Sequence, residues 1–371
     1  MVNLLQRQPL GVCGQITPWN HPLLIAIKKL SPALAAGNSI VIKPSELAPI
    51  TVIDFAELCS EAGVPPGVIN VVPGYGWIAG KALCENPMIA KLVIAFTKFT
   101  QKDITGGTET GRKIASSAGQ RLITCTAELG GKTPVIIFED ASLEDAVNGA
   151  TFAAFIASGQ TCVMGSRILV HESIHDEFVA RLVQKVKGLT VGDPLDRSVH
   201  MGPVISRPQL DRIESFVQTA QAEGARILTG GHRIGDLGYF YAPTVIGNCK
   251  PDMTVVKEEV FGPVVCVLPF RSEDEAILFA NDSIYGLAAG VWTTCIKRAH
   301  RVSNKLDVGI TWINGHHHND PSSPWGGFKQ SGIGKENGVE AYQSYTRLKS
   351  TVINYGDFSD WFGTVEGARY G

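Results

Sequence analysis

Four short segments carry side chains whose types could act together on a carbonyl carbon. Cys162 lies in Gly159-Gln160-Thr161-Cys162, after an apolar helical run and before Gly165 and a predicted strand. A thiolate is a strong nucleophile, and a turn with free N–H groups can lower the pKa of the thiol it holds. Asn20, in Pro18-Trp19-Asn20-His21-Pro22, offers an amide that can donate to a developing oxyanion without adding titratable charge. Glu128, in Glu128-Leu129-Gly130-Gly131-Lys132, enters a glycine pair whose backbone could hold the carboxylate as a water-activating base. Glu258-Glu259-Val260-Phe261-Gly262-Pro263 combines acceptors for sugar hydroxyls with an aromatic ring. Each segment also has a plain structural reading: a buried thiol, a helix cap, carboxylates in solvent. Only the combination makes a chemical case.

The elements that must position these residues alternate between strand and helix. Gly11–Thr17 reads as a strand, Ile25–Ala36 as a helix, Ser39–Ile42 as a buried strand, Ala48–Ala62 as a helix and Val68–Val72 as a strand. After Glu128 the rhythm resumes, with strands at Val135–Phe138, Arg167–Val170 and Val264–Phe270. Helices are expected at Leu143–Ala157, Ile174–Val186 and Arg207–Ala222, and a last strand at Ser350–Tyr355. This alternation predicts an α/β fold with parallel sheet and right-handed crossovers. Gly130-Gly131 is the best boundary between its two halves.

Composition excludes several classes. With 371 residues, 44% hydrophobic and 18% charged, the chain can bury a large core, which rules out global disorder. A net charge of −2 provides no basic field for nucleic acid, and no apolar run is long enough to cross a bilayer. The eight cysteines form no C-x-x-C pair, and Met1–Arg7 lacks a secretion profile, so a reducing, cytoplasmic setting is expected. Apart from Cys162, most of these thiols should be inert core residues. His316-His317-His318 reads as a polar lining with Trp312 and Trp325 rather than as a metal site, and no metal is expected.

In their order, these segments resemble the aldehyde dehydrogenase superfamily, from about Leu10 to about Asn354. Lys43-Pro44-Ser45-Glu46, Gly192-Asp193-Pro194, Gly202-Pro203 and Pro324-Trp325-Gly326-Gly327-Phe328-Lys329 add to the match. The resemblance implies a Rossmann-type cofactor domain joined to an α/β catalytic domain. It also implies NAD(P)-dependent oxidation of a small-molecule aldehyde to a carboxylic acid. Cys162 would be the nucleophile, Asn20 and the Cys162 N–H the oxyanion donors, and Glu128 the base that hydrolyses a thioester. For the cofactor it implies Trp19, Lys43, Glu46, Gly106, Gly107, Glu259 and Phe261. Lys43 and Glu46 would meet the adenine-side ribose, Gly106 and Gly107 the pyrophosphate, and Glu259 the nicotinamide-side ribose. Glu46 tilts the choice to NAD, with NADP possible, because a carboxylate accepts from a 2′-hydroxyl and repels a 2′-phosphate. Transfer to coenzyme A is disfavoured by Glu128. The alternative is a catalytically impaired member acting as a binding or structural protein.

The resemblance divides the chain into an incomplete dinucleotide-binding domain over 1–129, a catalytic domain over 130–324 and a C-terminal return with an oligomerisation strand over 325–371. It places the start of the chain well inside the cofactor domain, so a front section is expected to be missing. A homo-oligomer is expected if that section exists. Asn3–Pro9 would then pair with a strand near Ser350–Asn354 in an oligomerisation hairpin. Val93–Asp103 reads as about ten extra residues before the pyrophosphate loop, with Ile104 where the family has a phenylalanine.

Overall fold

The computed structural model describes residues 1–95 and 107–358. It holds two open sheets with helices on their faces, which is the expected α/β architecture. The first sheet has six strands in the order Gly332–Ile333, Thr124–Glu128, Ile89–Ala95, Val12–Ile16, Ser39–Lys43, Ile69–Val71. All are parallel except Gly332–Ile333, which pairs antiparallel through Gly332 opposite Glu128. From Val12–Ile16 the chain builds outward on one side, then crosses back to build on the other. The strand order therefore reverses beside Val12–Ile16, where open α/β sheets bind ligands beyond the strand carboxyl ends.

The second sheet has seven strands: Ile310–Ile313, Ala288–Trp292, Pro134–Ile137, Arg167–His171, Val264–Phe270, Thr244–Gly247 and Arg226–Thr229. Only Arg226–Thr229 runs antiparallel. Along Pro134–Ile137, Val135 and Ile137 face one core with Ala150, Phe178 and Leu182, while Ile136 faces another with Ile213, Val217 and Val302. A strand buried on both faces reads as an unbroken apolar run, and Val135–Phe138 is one.

The chain leaves the first sheet at Glu128 and enters the second at Pro134. That short link forces the carboxyl-end edge of the first sheet to face the amino-end edge of the second. A crevice between those edges follows.

Several element ends differ from expectation. The helix expected at Ile25–Ala36 starts earlier, at Pro22, because proline suits a first turn where no N–H partner is needed. The helix expected to reach Ala157 stops at Phe155, and Ala157 and Ser158 adopt left-handed backbone. Val2–Pro9 and Thr346–Ile353 form an antiparallel ribbon with Asn3 opposite Val352, so the expected hairpin between the two ends is present and is longer than expected. Val93–Ala95 completes the strand Ile89–Ala95. The remainder of the expected insertion, and Ile104, lie outside the described residues.

Candidate active site

Each reactive segment sits at one of the two facing edges. Trp19 and Asn20 follow the strand Val12–Ile16, Lys43 ends Ser39–Lys43, and Glu128 ends Thr124–Glu128. From the opposite edge, Cys162 precedes Arg167–His171 and Glu259 precedes Val264–Phe270.

Two glycines let these loops close on one another. A Cβ on Gly159, whose φ is +68°, would lie 2.3 Å from the Gly262 carbonyl oxygen. One on Gly131 would lie 2.5 Å from the carbonyl oxygen of Cys162. Neither contact tolerates a side chain, so both glycines bring the Cys162 turn against the Glu128 and Glu259 loops. Gly131 N–H also donates to Glu259 Oε1 at 2.9 Å.

The three residues expected to do chemistry, Asn20, Glu128 and Cys162, line one cavity, with Lys28, His317 and Trp325 among the other walls. Asn20 is not a helix cap. His21 holds that position in left-handed backbone, φ 46°, and neither residue's side chain caps the helix. Asn20 is 6% exposed, and both polar atoms of its amide lack a hydrogen-bond partner. Leaving a buried amide unpaired costs about 1–3 kcal/mol, a cost recovered when an oxygen of a bound molecule accepts from it. Glu128 is likewise buried, not solvated, and its Oε1 has no partner.

Burial pushes the Glu128 carboxyl up to about 8, although Lys29, Lys335 and Lys28 each pull it down. Near neutral pH Glu128 is therefore mainly protonated, and its basic form grows in through the alkaline range. The Cys162 thiol departs from expectation. Burial raises it to about 12, the carboxyls of Glu128 and Glu259 add to the rise, and Lys28 and its own backbone N–H only partly oppose it. Desolvation of a compact thiolate outweighs the dipoles of the turn, so Cys162 rests as a thiol. Its proton therefore has to leave as the sulfur reacts.

The residues expected at the cofactor gather less tightly. Trp19 and Phe261 meet edge to face, ring centroids 5.3 Å apart. Lys43 is buried, donates to the Pro44 carbonyl at 2.6 Å and pairs with Glu46 at 3.3 Å. The Glu46 side chain keeps 20% exposure, so its carboxylate is the part of this pair that reaches the surface. Gly107 is buried at the start of the helix Gly107–Gln120. Gly106 lies outside the described residues.

The histidine tract splits in three directions. His317 lines the cavity, His316 hydrogen-bonds the Val163 carbonyl through Nε2 at 2.8 Å, and the His318 carbonyl accepts from Trp312 Nε1 at 2.9 Å. Of the other cysteines, Cys13, Cys84, Cys249 and Cys266 are buried, whereas Cys295 is exposed.

Sequence reasoning missed Lys28, Lys29, Lys335 and Glu336. Lys29 is fully buried and ion-pairs with Glu336, which also lines the cavity. A signal existed: Lys28-Lys29 interrupts the apolar helix Pro22–Ala35, and a lysine on a core-facing stripe needs an anionic partner. That partner comes from the far end of the chain, which no local pattern reveals.

A family model described as "Aldehyde dehydrogenase family" matches residues 1–351. The chain is similar to betaine aldehyde dehydrogenase from Staphylococcus aureus solved with NAD+, at 44% identity and TM-score 0.92, over 98% of this chain and 71% of that one. It is also similar to the NAD+ complex of aldehyde dehydrogenase from Bacillus cereus, at 43% identity and TM-score 0.92, over 95% of this chain and 70% of that one.

Proposed function

The chain belongs to the aldehyde dehydrogenase family, and from that premise we propose that it oxidises an aldehyde to a carboxylic acid with NAD(P) through Cys162, Asn20 and Glu128. The overall change is RCHO + NAD(P)+ + H2O → RCOO− + NAD(P)H + 2 H+. The observation that carries this reading is the convergence of these three residues, from separate segments, on one cavity.

Cys162 gives its proton to water as its sulfur attacks the aldehyde carbon, and the new oxyanion is held by the unpaired Asn20 amide and the Cys162 N–H. Donors set in advance for a developing charge need no reorganisation when it forms. Bound NAD(P) supplies the hydride acceptor that turns this adduct into a Cys162 thioester. Glu128, in its basic form, then takes a proton from water, whose oxygen attacks the thioester and releases Cys162 and the acid.

The residues present fit the cofactor. The parallel strands end together at the crevice, the Glu46 carboxylate reaches the surface beside Lys43, and Gly107 opens a helix whose first N–H groups suit a phosphate. Glu46 would accept from the adenine-side ribose and so favour NAD over NADP. Glu259 would hold the nicotinamide-side ribose, with Trp19 and Phe261 packing beside it. Oxidation through a reduced thiol fits a cytoplasmic setting. The terminal ribbon supports assembly with further copies of the chain, since an isolated two-stranded ribbon is marginally stable in water.

The test is direct. Purified chain, NAD and a panel of aldehydes should yield NADH and an equal amount of acid. Protein that binds NAD by calorimetry yet yields no NADH with any aldehyde overturns the reading.

A further inference from the structure

The cavity contains a cation that the chemistry above does not use. Lys28 stands on the helix Pro22–Ala35 and lines the cavity together with Cys162, Asn20 and Glu128. Its Nζ lies 3.8 Å from the centroid of the Trp325 ring. Among the described residues, no hydrogen bond or ion pair holds this ammonium.

The neighbouring carboxyls, Glu128 among the groups that act on Lys28, are shared with other cations. Glu336 pairs with Lys29, and Glu128 is drawn down by Lys29 and Lys335 ahead of Lys28. His21 and His317, whose rings meet at 5.7 Å, complete this wall. Burial lowers both, with Lys28 adding to the effect, and His317 falls to about 4, so it is neutral at pH 7. Burial brings Lys28 itself down to about 8, which leaves it mainly charged at neutral pH. A half-buried ammonium that no hydrogen bond or ion pair holds attracts an anion to the cavity and repels a cation.

Resting on the proposed aldehyde oxidation, we infer that the preferred substrate carries a carboxylate at the end remote from its carbonyl, held by Lys28 above Trp325 while the carbonyl meets Cys162. The same arrangement disfavours a quaternary ammonium, because Lys28 already occupies the face of Trp325 and would meet it with like charge. This chain therefore departs from the substrate in the name of its S. aureus relative.

The experiment compares 4-oxobutanoate, butanal and betaine aldehyde as substrates for the wild type, Lys28→Arg and Lys28→Met. The wild type should show kcat/KM for 4-oxobutanoate at least tenfold above butanal. Lys28→Arg should keep that preference, and Lys28→Met should lose at least tenfold of the ratio and gain on betaine aldehyde. Calorimetry with succinate, the product, should show binding to the wild type and at least tenfold weaker binding to Lys28→Met. A ratio unchanged in Lys28→Met, or a wild type that prefers butanal or betaine aldehyde, overturns the inference while leaving aldehyde oxidation standing. Should Lys28→Met not fold, wild-type succinate binding no tighter than butanoate binding overturns it alone. No NADH from any aldehyde removes both readings.

Discussion

The reaction cavity and the terminal ribbon are opposites in solvation. Beside Cys162 the amide and the carboxyl are largely out of water, with Asn20 and Glu128 6% and 7% exposed. In the ribbon, Leu5, Leu348 and Val352 are 70%, 61% and 59% exposed and share one face of the paired strands. A charge in the cavity is therefore felt more strongly by its neighbours, whereas a charge on the ribbon is screened within about 10 Å at 0.1 M salt. The cavity suits charge chemistry because burial weakens the screening of its charges. The ribbon can only gain by being covered.

If that contrast holds, substitutions in the cavity should change rates by orders of magnitude and those in the ribbon should change assembly alone. Cys162→Ala should remove steady-state NADH production entirely, while alanine at Cys59 or Cys295 leaves it intact. Comparable turnover by Cys162→Ala would break the assignment of the nucleophile.

Glu128→Gln comes next. The variant should acylate at Cys162 and stall, giving one equivalent of NADH and then a steady rate about 10²–10⁴-fold lower. A trapped thioester should be visible by mass spectrometry, and full turnover without one would remove the base from the scheme. The same residue sets a pH dependence. Because burial raises Glu128 to about 8, its basic form is scarce below that pH. Deacylation in the wild type should climb about tenfold per unit up to that pH and then level off. A single-turnover profile that is flat from pH 6 to 9 would contradict the sign of the shift.

Asn20→Ala removes one oxyanion donor and should cost about 10²–10³ in kcat. The loss should fall on kcat more than KM, because the amide is used only once the oxyanion forms. An equal rise in KM would make Asn20 a substrate-binding group instead.

The smallest effect on chemistry should come from the ribbon. Leu5→Asp with Leu348→Asp places two charges on its apolar face and should lower the oligomeric state seen by light scattering, with thermal stability of the separated chain little changed. An oligomer that survives both substitutions would move the interface elsewhere.

The two regions were also unequally legible in the sequence. Strand and helix alternation and the Gly130-Gly131 link follow from periodicity and glycine pairs, which are local or linear signals, and the ribbon partners Asn3–Pro9 and Ser350–Asn354 from the family resemblance. Arg207–Ala222 and Val264–Phe270 have the ends their apolar spacing predicts. The chemical types at Cys162, Asn20 and Glu128 could be read the same way, since a nucleophile, an amide and a carboxylate are properties of single residues. What the sequence could not state is how much water each of them keeps. The raised Cys162 thiol, the protonated Glu128, the Lys29–Glu336 pair and the unpaired Lys28 all depend on two sheet edges facing each other and on the C-terminal return covering them. Desolvation is a property of the enclosing surface, contributed by residues hundreds of positions apart, so only the tertiary structure decided it.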